Sequence, residues 1–234
     1  MDNLFFAPDL NGKYYQLPED ESKHLIRVLR RKTGDEVFFT DGKGVFYTCR
    51  IIDDHPKHCK VEVVSEQKGD DVRDYYLQIA VAPTKNISRF EWFLEKATEI
   101  GIDRITPFVS VHSERKDVKH ERLDRVIIAA MKQSLKSHKP VLDRLVTFKE
   151  LVQQPFEGKK YIAYIDENVT TLLSKVYPKG EHVLILIGPE GDFSPEEVEL
   201  SKKNGFQPVS LGKSRLRTET AALVACHTIN LLNQ

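Results

Sequence analysis

An uninterrupted run of apolar residues, Val183–Ile187, constrains the fold of this chain more than any other feature. Such a run is typical of a parallel β-strand that is buried on both faces of its sheet. Gly188 and Gly191 follow it, and glycines there allow a sharp turn and a close approach of the backbone to a ligand. Three further residues have the pattern of a helix start, namely an N-cap, a first-turn proline and a capping-box carboxylate: Ser194, Pro195 and Glu197.

The same order of strand, loop and helix recurs further along the chain. A short strand is predicted over 208–211, and an almost wholly apolar helix over 221–232. The loop between them contains three cations: Lys213, Arg215 and Arg217. In open α/β sheets, ligands bind outside the carboxyl ends of the strands. Glu190 in the first loop and the cations of the second therefore predict one site for a small polar ligand.

A polar run over 67–73 separates two halves that are built differently. The first half contains short strand-like segments, a hairpin signal at 41–44 and one helix over 22–31. Its predicted strands cover 4–7, 13–17, 36–40, 45–52 and 60–64. We therefore predict a small β-barrel-like domain over residues 1–70, a size that can fold alone but is marginal.

The second half alternates strands with helices, which is the pattern of an α/β domain with a parallel sheet over residues 74–234. Its first helix is predicted to have Ser88 as its N-cap, Glu91 in a capping box and Gly101 at its end. Two more helices are predicted over 123–135 and around Glu150. The remaining predicted strands cover 77–82, 105–109, 142–148 and 161–165.

Composition sets limits without indicating a function. The chain has 35 basic and 35 acidic residues, so its net charge neither demands nor excludes a nucleic-acid partner. No apolar run approaches the roughly 20 residues that cross a bilayer, so no membrane partner is expected. The cysteines are scattered and odd in number, which argues against a disulfide framework and predicts a cytoplasmic location: Cys49, Cys59 and Cys226.

Several common chemistries lack their motifs in this sequence. The glycine turn is not a dinucleotide fingerprint, and the chain contains no phosphate-binding loop and no nucleophile elbow. His55, His58 and Cys59 lie in a predicted turn without a second group of ligands, so no metal site is predicted.

The segments 188–197 and 211–221 resemble the two C-terminal signatures of the RsmE family. This family consists of SPOUT-class methyltransferases that use S-adenosylmethionine to modify N3 of a uridine in 16S ribosomal RNA. The resemblance extends through segments 89–101, 113–115 and 130–134, and in the first half through 24–30 and 34–35. It implies an α/β fold of the SPOUT type, whose parallel sheet has a C-terminal trefoil knot and follows a PUA-like β-barrel. Such a knot is a rare exception to the rule that connections do not thread loops.

The resemblance also implies a cofactor and partners. S-adenosylmethionine would lie in the knot, beside Asp166 and Glu167. The other residues that would hold it are Ile187, Gly188, Glu190, Gly191, Leu211, Gly212, Ser214, Leu216 and Thr220. The substrate would be 16S ribosomal RNA of the small ribosomal subunit, and the enzyme would be a homodimer. Candidate RNA-binding residues are basic side chains from both halves: Arg27, Arg30, Arg31, Arg115 and Lys136.

Methylation at N3 requires the proton on this nitrogen to leave, because uridine N3 is mostly protonated at neutral pH. Glu190 and Glu219 are the candidate general bases. Arg217 can instead stabilise the developing uracil anion, and we favour Arg217 as the essential group and leave the base unassigned. For Glu219, a helix-start position that complements the helix dipole is an equally good interpretation. For Arg217, the alternative is a structural ion pair with Asp166 or Glu167.

Three residues depart from the family pattern: Lys132, Lys136 and Asp192 stand where glutamate, arginine and glycine are usual. Lys136 would hold RNA as a point charge, because lysine lacks the bidentate geometry of arginine. Two other functions stay open. One is a ribose 2′-O-methyltransferase of the same knotted superfamily, and the other is a non-catalytic RNA-binding protein built on a PUA-like module.

Overall fold

The computed structural model describes residues 3–69 and 73–234 and divides into two compact units. The first unit is Met1–Val72 with Ile128–Lys139, and the second is Arg73–Ile127 with Pro140–Gln234. The sequence predicted two uninterrupted domains, 1–70 and 74–234, and the difference is the segment Ile128–Lys139. Within the first unit, this segment is fixed by an ion pair from Lys132 Nζ to Glu21 Oε1 at 2.8 Å. Residues 70–72 of the predicted boundary lie outside the described residues.

The described part of the first unit contains a curled five-stranded sheet with the strand order β1-β3-β4-β5-β2. The strands are β1 Leu4–Phe6, β2 Tyr14–Gln16, β3 Glu36–Thr40, β4 Val45–Asp53 and β5 Lys60–Lys68. β1 pairs with β3 in parallel, and the other pairs are antiparallel. β5 continues four residues past its predicted end because the long strand β4 supplies partners as far as Val45, which pairs with Lys68. Phe5 of β1 and Phe39 of β3 are buried in one core with Leu25.

The predicted single helix over 22–31 is instead two short pieces. α1 covers Glu19–Lys23, and a π-helical turn covers His24–Val28. The helix begins earlier because Pro18 precedes three acidic residues, which stabilise the positive end of the helix dipole. It ends before Arg30, whose φ of 56° lies in the left-handed region.

The second unit contains a seven-stranded sheet, and all of its described strand pairs are parallel. Its order is β12-β10-β11-β6-β7-β8, and β9 also pairs with β7. The strands are β6 Leu77–Val81, β7 Arg104–Val109, β8 Val141–Leu142, β9 Val146–Thr147, β10 Lys159–Ala163, β11 Val183–Ile187 and β12 Gln207–Val209. The predicted strand over 142–148 was wrong. The chain there pairs with two separate parts of β7, at Arg104–Ile105 and at Phe108–Val109, and breaks between them.

The helices of the second unit follow the predicted order, with one addition. They are α2 Ile87–Ile100, α3 His120–Gln133, α4 Phe148–Gln153, α5 Leu173–Val176, α6 Pro195–Lys203 and α7 Thr218–Asn233. The part of α3 from Ile128 onward belongs to the first unit. The short helix α5 was not predicted. The capping box of Ser194 and Glu197 at the start of α6 is confirmed. None of the helices in residues 3–69 and 73–234 is long and apolar enough to span a bilayer.

The predicted N-cap of α2 was wrong. The cap is Asn86, whose side-chain oxygen accepts a hydrogen bond from the Ser88 N–H at 3.1 Å. The side chain of asparagine reaches the amide two residues ahead, so the helix starts at Ile87 and leaves Ser88 inside its first turn. Gly101 ends the helix as predicted, with a φ of 121°.

The apolar run of β11 is buried because helices cover both faces of the sheet. On one face, Ile185 packs in a core that includes residues of α2 and α7. On the other, Leu184 and Leu186 pack in a core with residues of α4 and α6. The C-terminal chain leaves the edge strand β12 and returns as α7 to contact the central strands β6 and β11.

Candidate active site

A cleft of about 560 Å³ lies at the carboxyl ends of β10 and β12. One wall is the segment after β10, including Ile165, Asp166 and Glu167. The opposite wall is the loop between β12 and α7, and four of the predicted cofactor residues lie there: Leu211, Gly212, Ser214 and Leu216. The cleft has the size of a typical small-molecule site. The structure therefore brings the basic loop together with Asp166 and Glu167, which the resemblance placed beside the cofactor.

Backbone hydrogen bonds join the two walls. The Ser210 N–H donates to the Thr171 carbonyl at 2.8 Å, and the Leu173 N–H donates to the Ser210 carbonyl at 3.0 Å. Beyond this junction, Gly212 has a φ of 129°, a conformation that L side chains rarely adopt. The backbone conformation of the loop therefore favours glycine at position 212.

The other predicted cofactor residues do not line this cleft. Ile187 and Gly188 are buried at the end of β11, and Thr220 lies in the first turn of α7. A Cβ atom at Gly188 would lie 3.1 Å from the ring of Phe193, and one at Gly191 would lie 3.0 Å from His112 Cβ. Gly188 thus faces a buried ring, and Gly191 faces the exposed His112 side chain. At both positions the space is too tight for an undisturbed Cβ, which favours glycine independently of any ligand.

Glu190, the first candidate base, is exposed and hydrogen-bonded to the loop after β6. Its Oε1 accepts a hydrogen bond from the Lys85 N–H at 2.9 Å. Arg115 holds the same loop, because its Nε donates to the Thr84 carbonyl at 3.0 Å and its Nη2 to the Lys85 carbonyl at 2.8 Å. Arg115, predicted as an RNA contact, therefore fixes the backbone that holds Glu190.

Glu219 and Arg217 lie at the start of α7 in different surroundings. Glu219 is buried, and its Oε1 is 3.8 Å from Arg89 Nε. Arg217 is the exposed N-cap residue, and its carbonyl accepts a hydrogen bond from the Ala221 N–H at 2.7 Å. Within the described residues, its guanidinium has no ion pair with Asp166 or Glu167. The side chain of Arg217 is thus accessible to solvent.

Sequence reasoning missed the second role of Glu197. Besides its capping box, the buried carboxylate accepts hydrogen bonds from Ser110 Oγ and from the Val111 N–H, both at 3.0 Å. These hydrogen bonds connect the segment after β7 to the start of α6. The capping-box spacing locates Glu197 in the sequence, but nothing in that spacing identifies its partners 86 and 87 positions away.

The predicted RNA-binding residues of the first unit are solvent-accessible. Arg27 and Arg30 are exposed, and Arg31 and Lys136 are partly buried. Lys132, where the family usually has glutamate, pairs with Glu21 and also lies 5.3 Å from the centroid of the Phe5 ring. A glutamate at 132 would face the Glu21 carboxylate, so the departure has a local electrostatic reason.

The three cysteines are buried thiols. Burial raises the pKa of Cys49 and of Cys226 to about 12, and that of Cys59 to about 11. They are therefore protonated at neutral pH and poorly suited to act as nucleophiles. Among the described residues, no group of three or more histidine, cysteine, aspartate or glutamate side chains is placed to hold a metal ion.

Two family models match the chain. The model of an RNA methyltransferase domain matches residues 73–230, and that of an RNA methyltransferase PUA domain matches residues 17–64. A curated relative, ribosomal RNA small subunit methyltransferase E of Mesomycoplasma hyopneumoniae, is 29% identical, and the match covers 94% of this chain and 95% of the relative. The protein of the same name from Synechocystis sp. is 32% identical, with 89% of this chain and 70% of the relative covered.

Solved structures are similar over nearly the whole chain. A probable rRNA-methyltransferase from Porphyromonas gingivalis has a TM-score of 0.92 and 46% identity, covering 99% of this chain and 98% of its own. A ribosomal RNA small subunit methyltransferase E from Neisseria gonorrhoeae, bound to S-adenosyl methionine, has a TM-score of 0.86 and 27% identity with the same coverage. The predicted fold class, an α/β SPOUT-type parallel sheet with a C-terminal trefoil knot after a PUA-like module, is confirmed. The chain belongs to the RsmE family of ribosomal RNA small subunit methyltransferases.

Proposed function

We propose that this protein methylates N3 of a uridine in 16S ribosomal RNA with S-adenosylmethionine as the methyl donor. The observation that carries the proposal is the cleft beside β10 and β12. Its lining residue Leu216 directly precedes Arg217, a cation without a protein partner among the described residues. The relative from Mesomycoplasma hyopneumoniae is named for ribosomal RNA methylation, and the Neisseria gonorrhoeae structure contains the cofactor, which supports the same activity here.

The cleft suits S-adenosylmethionine in size and lining. It combines apolar side chains such as Ile165 and Leu172 with backbone groups of the Leu211–Leu216 loop and the carboxylates of Asp166 and Glu167. Apolar surface and backbone donors suit an adenine ring, and carboxylates suit hydroxyl or ammonium groups. The bound cofactor supplies a methyl group activated on a sulfonium. We propose that Ile187, Gly188, Gly191 and Thr220 complete the site from the adjacent turn and helix.

We propose that Arg217 stabilises the uracil anion that forms when the N3 proton leaves. An exposed guanidinium can donate to uracil O2 or O4, and such donors aimed at developing charge give large rate effects. Of the two candidate bases, Glu190 is exposed, whereas Glu219 is buried near Arg89. Glu190 is thus the carboxylate that a substrate can reach, with solvent as the alternative proton acceptor.

The RNA contacts and the assembly are part of the same proposal. Arg27, Arg30 and Arg31 offer phosphate contacts, which position RNA without reading its sequence. Lys136 and Arg115 remain further candidates, although two nitrogens of Arg115 are already bonded to backbone carbonyls. We also propose that the substrate is part of the small ribosomal subunit, that the enzyme is a homodimer and that it acts in the cytoplasm. The resemblance to the RsmE family supports these three proposals.

Nucleoside mass spectrometry of 16S ribosomal RNA tests this function. RNA from cells that lack the protein should gain one 3-methyluridine after incubation with the protein and S-adenosylmethionine. Reverse transcription should stop at the modified position, because the N3 donor used in base pairing is lost. A product that resists alkaline cleavage would instead indicate ribose 2′-O-methylation. Binding of RNA without binding of cofactor in calorimetry would indicate the non-catalytic alternative.

A further inference from the structure

Asp192 adopts a backbone conformation that favours glycine. Its φ is 59°, and it is one of three non-glycine residues with positive φ in the described part of the chain. Aspartate tolerates this region better than most residues, but glycine is the default there. The strain of this conformation directs attention to what the aspartate side chain contacts.

The side chain of Asp192 bonds to two backbone amides. Its Oδ2 accepts a hydrogen bond from the Ile165 N–H at 2.9 Å, and its Oδ1 accepts one from the Phe193 N–H at 2.9 Å. Ile165 lies two residues beyond the end of β10 and lines the cleft. The carboxylate therefore connects the glycine turn after β11 to the cleft wall that follows β10.

Backbone contacts hold the turn itself, independently of this side chain. The Asp192 N–H donates to the Pro189 carbonyl at 3.0 Å. The Asp192 carbonyl accepts a hydrogen bond from His112 Nδ1 at 3.0 Å, which makes Nδ1 the protonated nitrogen of that ring. A residue without a carboxylate would keep both of these backbone contacts. It would lose the connection to Ile165 and the local hydrogen bond from the Phe193 N–H.

We propose that Asp192 is a positioning residue for the cofactor: it fixes the 165–166 wall of the cleft and thereby raises the affinity for S-adenosylmethionine. The inference rests on the proposed function, since it takes the cleft as the cofactor site. Ile165 is exposed, so water can replace the carboxylate at its amide when the Asp192 side chain is removed. The loss thus acts on the placement of the wall more than on folding.

Asp192→Gly and Asp192→Asn test the inference. Asp74→Gly, at an exposed position outside the cleft, is the matched control and should keep the cofactor affinity of the unmodified protein. We expect Asp192→Gly to raise the Kd for S-adenosylmethionine about tenfold, the order expected for losing charge-assisted hydrogen bonds. Its Tm without ligand should be unchanged or higher, because glycine relieves the left-handed strain. Asp192→Asn keeps one acceptor oxygen and should restore part of the affinity. RNA affinity should be unchanged in both variants.

Two results would overturn the inference. One is wild-type cofactor affinity in Asp192→Gly, and the other is a loss of affinity that only accompanies a matching fall in Tm. The proposed function is tested separately by the unmodified protein. If that protein failed to bind S-adenosylmethionine, the cleft assignment would fail; if it bound and Asp192→Gly bound equally well, only the role of Asp192 would fail.

Discussion

The ring of Phe193 packs so closely on Gly188 that a Cβ atom at position 188 would lie 3.1 Å from it. Phe193 stacks on Phe108, with ring centroids 6.1 Å apart and planes 4° apart, and also contacts Phe148. These rings belong to the core between the sheet and α4 and α6. The first glycine of the signature turn is therefore needed by the core, whatever it does for a ligand.

Gly188→Val should lower the stability of the folded chain. Forcing a branched side chain against the Phe193 ring overpacks the core, which costs on the order of 1–3 kcal/mol. Thermal unfolding of the second unit should shift downward, and stabilisation by S-adenosylmethionine should also be lost if the turn moves. Gly188→Val combined with Phe193→Leu provides the control, since the smaller side chain should recover part of the Tm. Equal losses in the single and double variants would contradict the packing explanation.

S-adenosylmethionine or its demethylated product should stabilise the protein against heat. A ligand that binds only the folded state adds roughly 2.7 kcal/mol at about a hundred times its Kd. Differential scanning calorimetry with increasing ligand measures the effect, and adenosine triphosphate at the same concentration is a control for nonspecific stabilisation. An unchanged Tm at saturating S-adenosylmethionine would count strongly against the cleft as its site.

Arg217→Ala should bind the cofactor within a few-fold of the unmodified protein but turn over on the order of a hundredfold more slowly. Arg217 has no ion-pair partner among the described residues, so removing it should not disturb the fold. Lys203→Ala, an exposed cation on α6, serves as the control and should keep normal turnover. Single-turnover methylation measured at several pH values should show partial rescue at high pH, where solvent removes the N3 proton more readily. Near-normal turnover of Arg217→Ala at neutral pH would exclude the proposed mechanism and leave the family assignment intact.

Replacing Arg27, Arg30 and Arg31 with glutamine should weaken RNA binding and flatten its dependence on salt. Each phosphate contact releases condensed counterions, so fewer contacts reduce the slope of affinity against salt concentration. Filter binding over a range of potassium chloride concentrations measures both quantities, while calorimetry should show unchanged cofactor affinity. If RNA affinity did not change, the contact surface would instead have to include the basic segment 115–119.

Local sequence signals determined the elements whose pattern lies within a few consecutive residues. The apolar run of Val183–Ile187 identified a buried strand, and Ser194 with Glu197 identified the start of α6. The signature around Gly188 and the basic loop before α7 identified the family. These two signals could be interpreted from the sequence because capping and hydrophobic burial depend on residues that are close together in the chain.

Only the tertiary structure decided which distant residues meet. Lys132 forms an ion pair with Glu21, and the Asp192 carboxylate accepts a hydrogen bond from the Ile165 N–H in the cleft wall. Phe193 explains why position 188 is glycine. Periodicity along one chain carries no information about such pairs, because they are set by the order of strands in the sheet and by the return of the chain across it. Their hydrogen bonds and packing contacts exist only after the fold has brought residues many positions apart within a few ångströms.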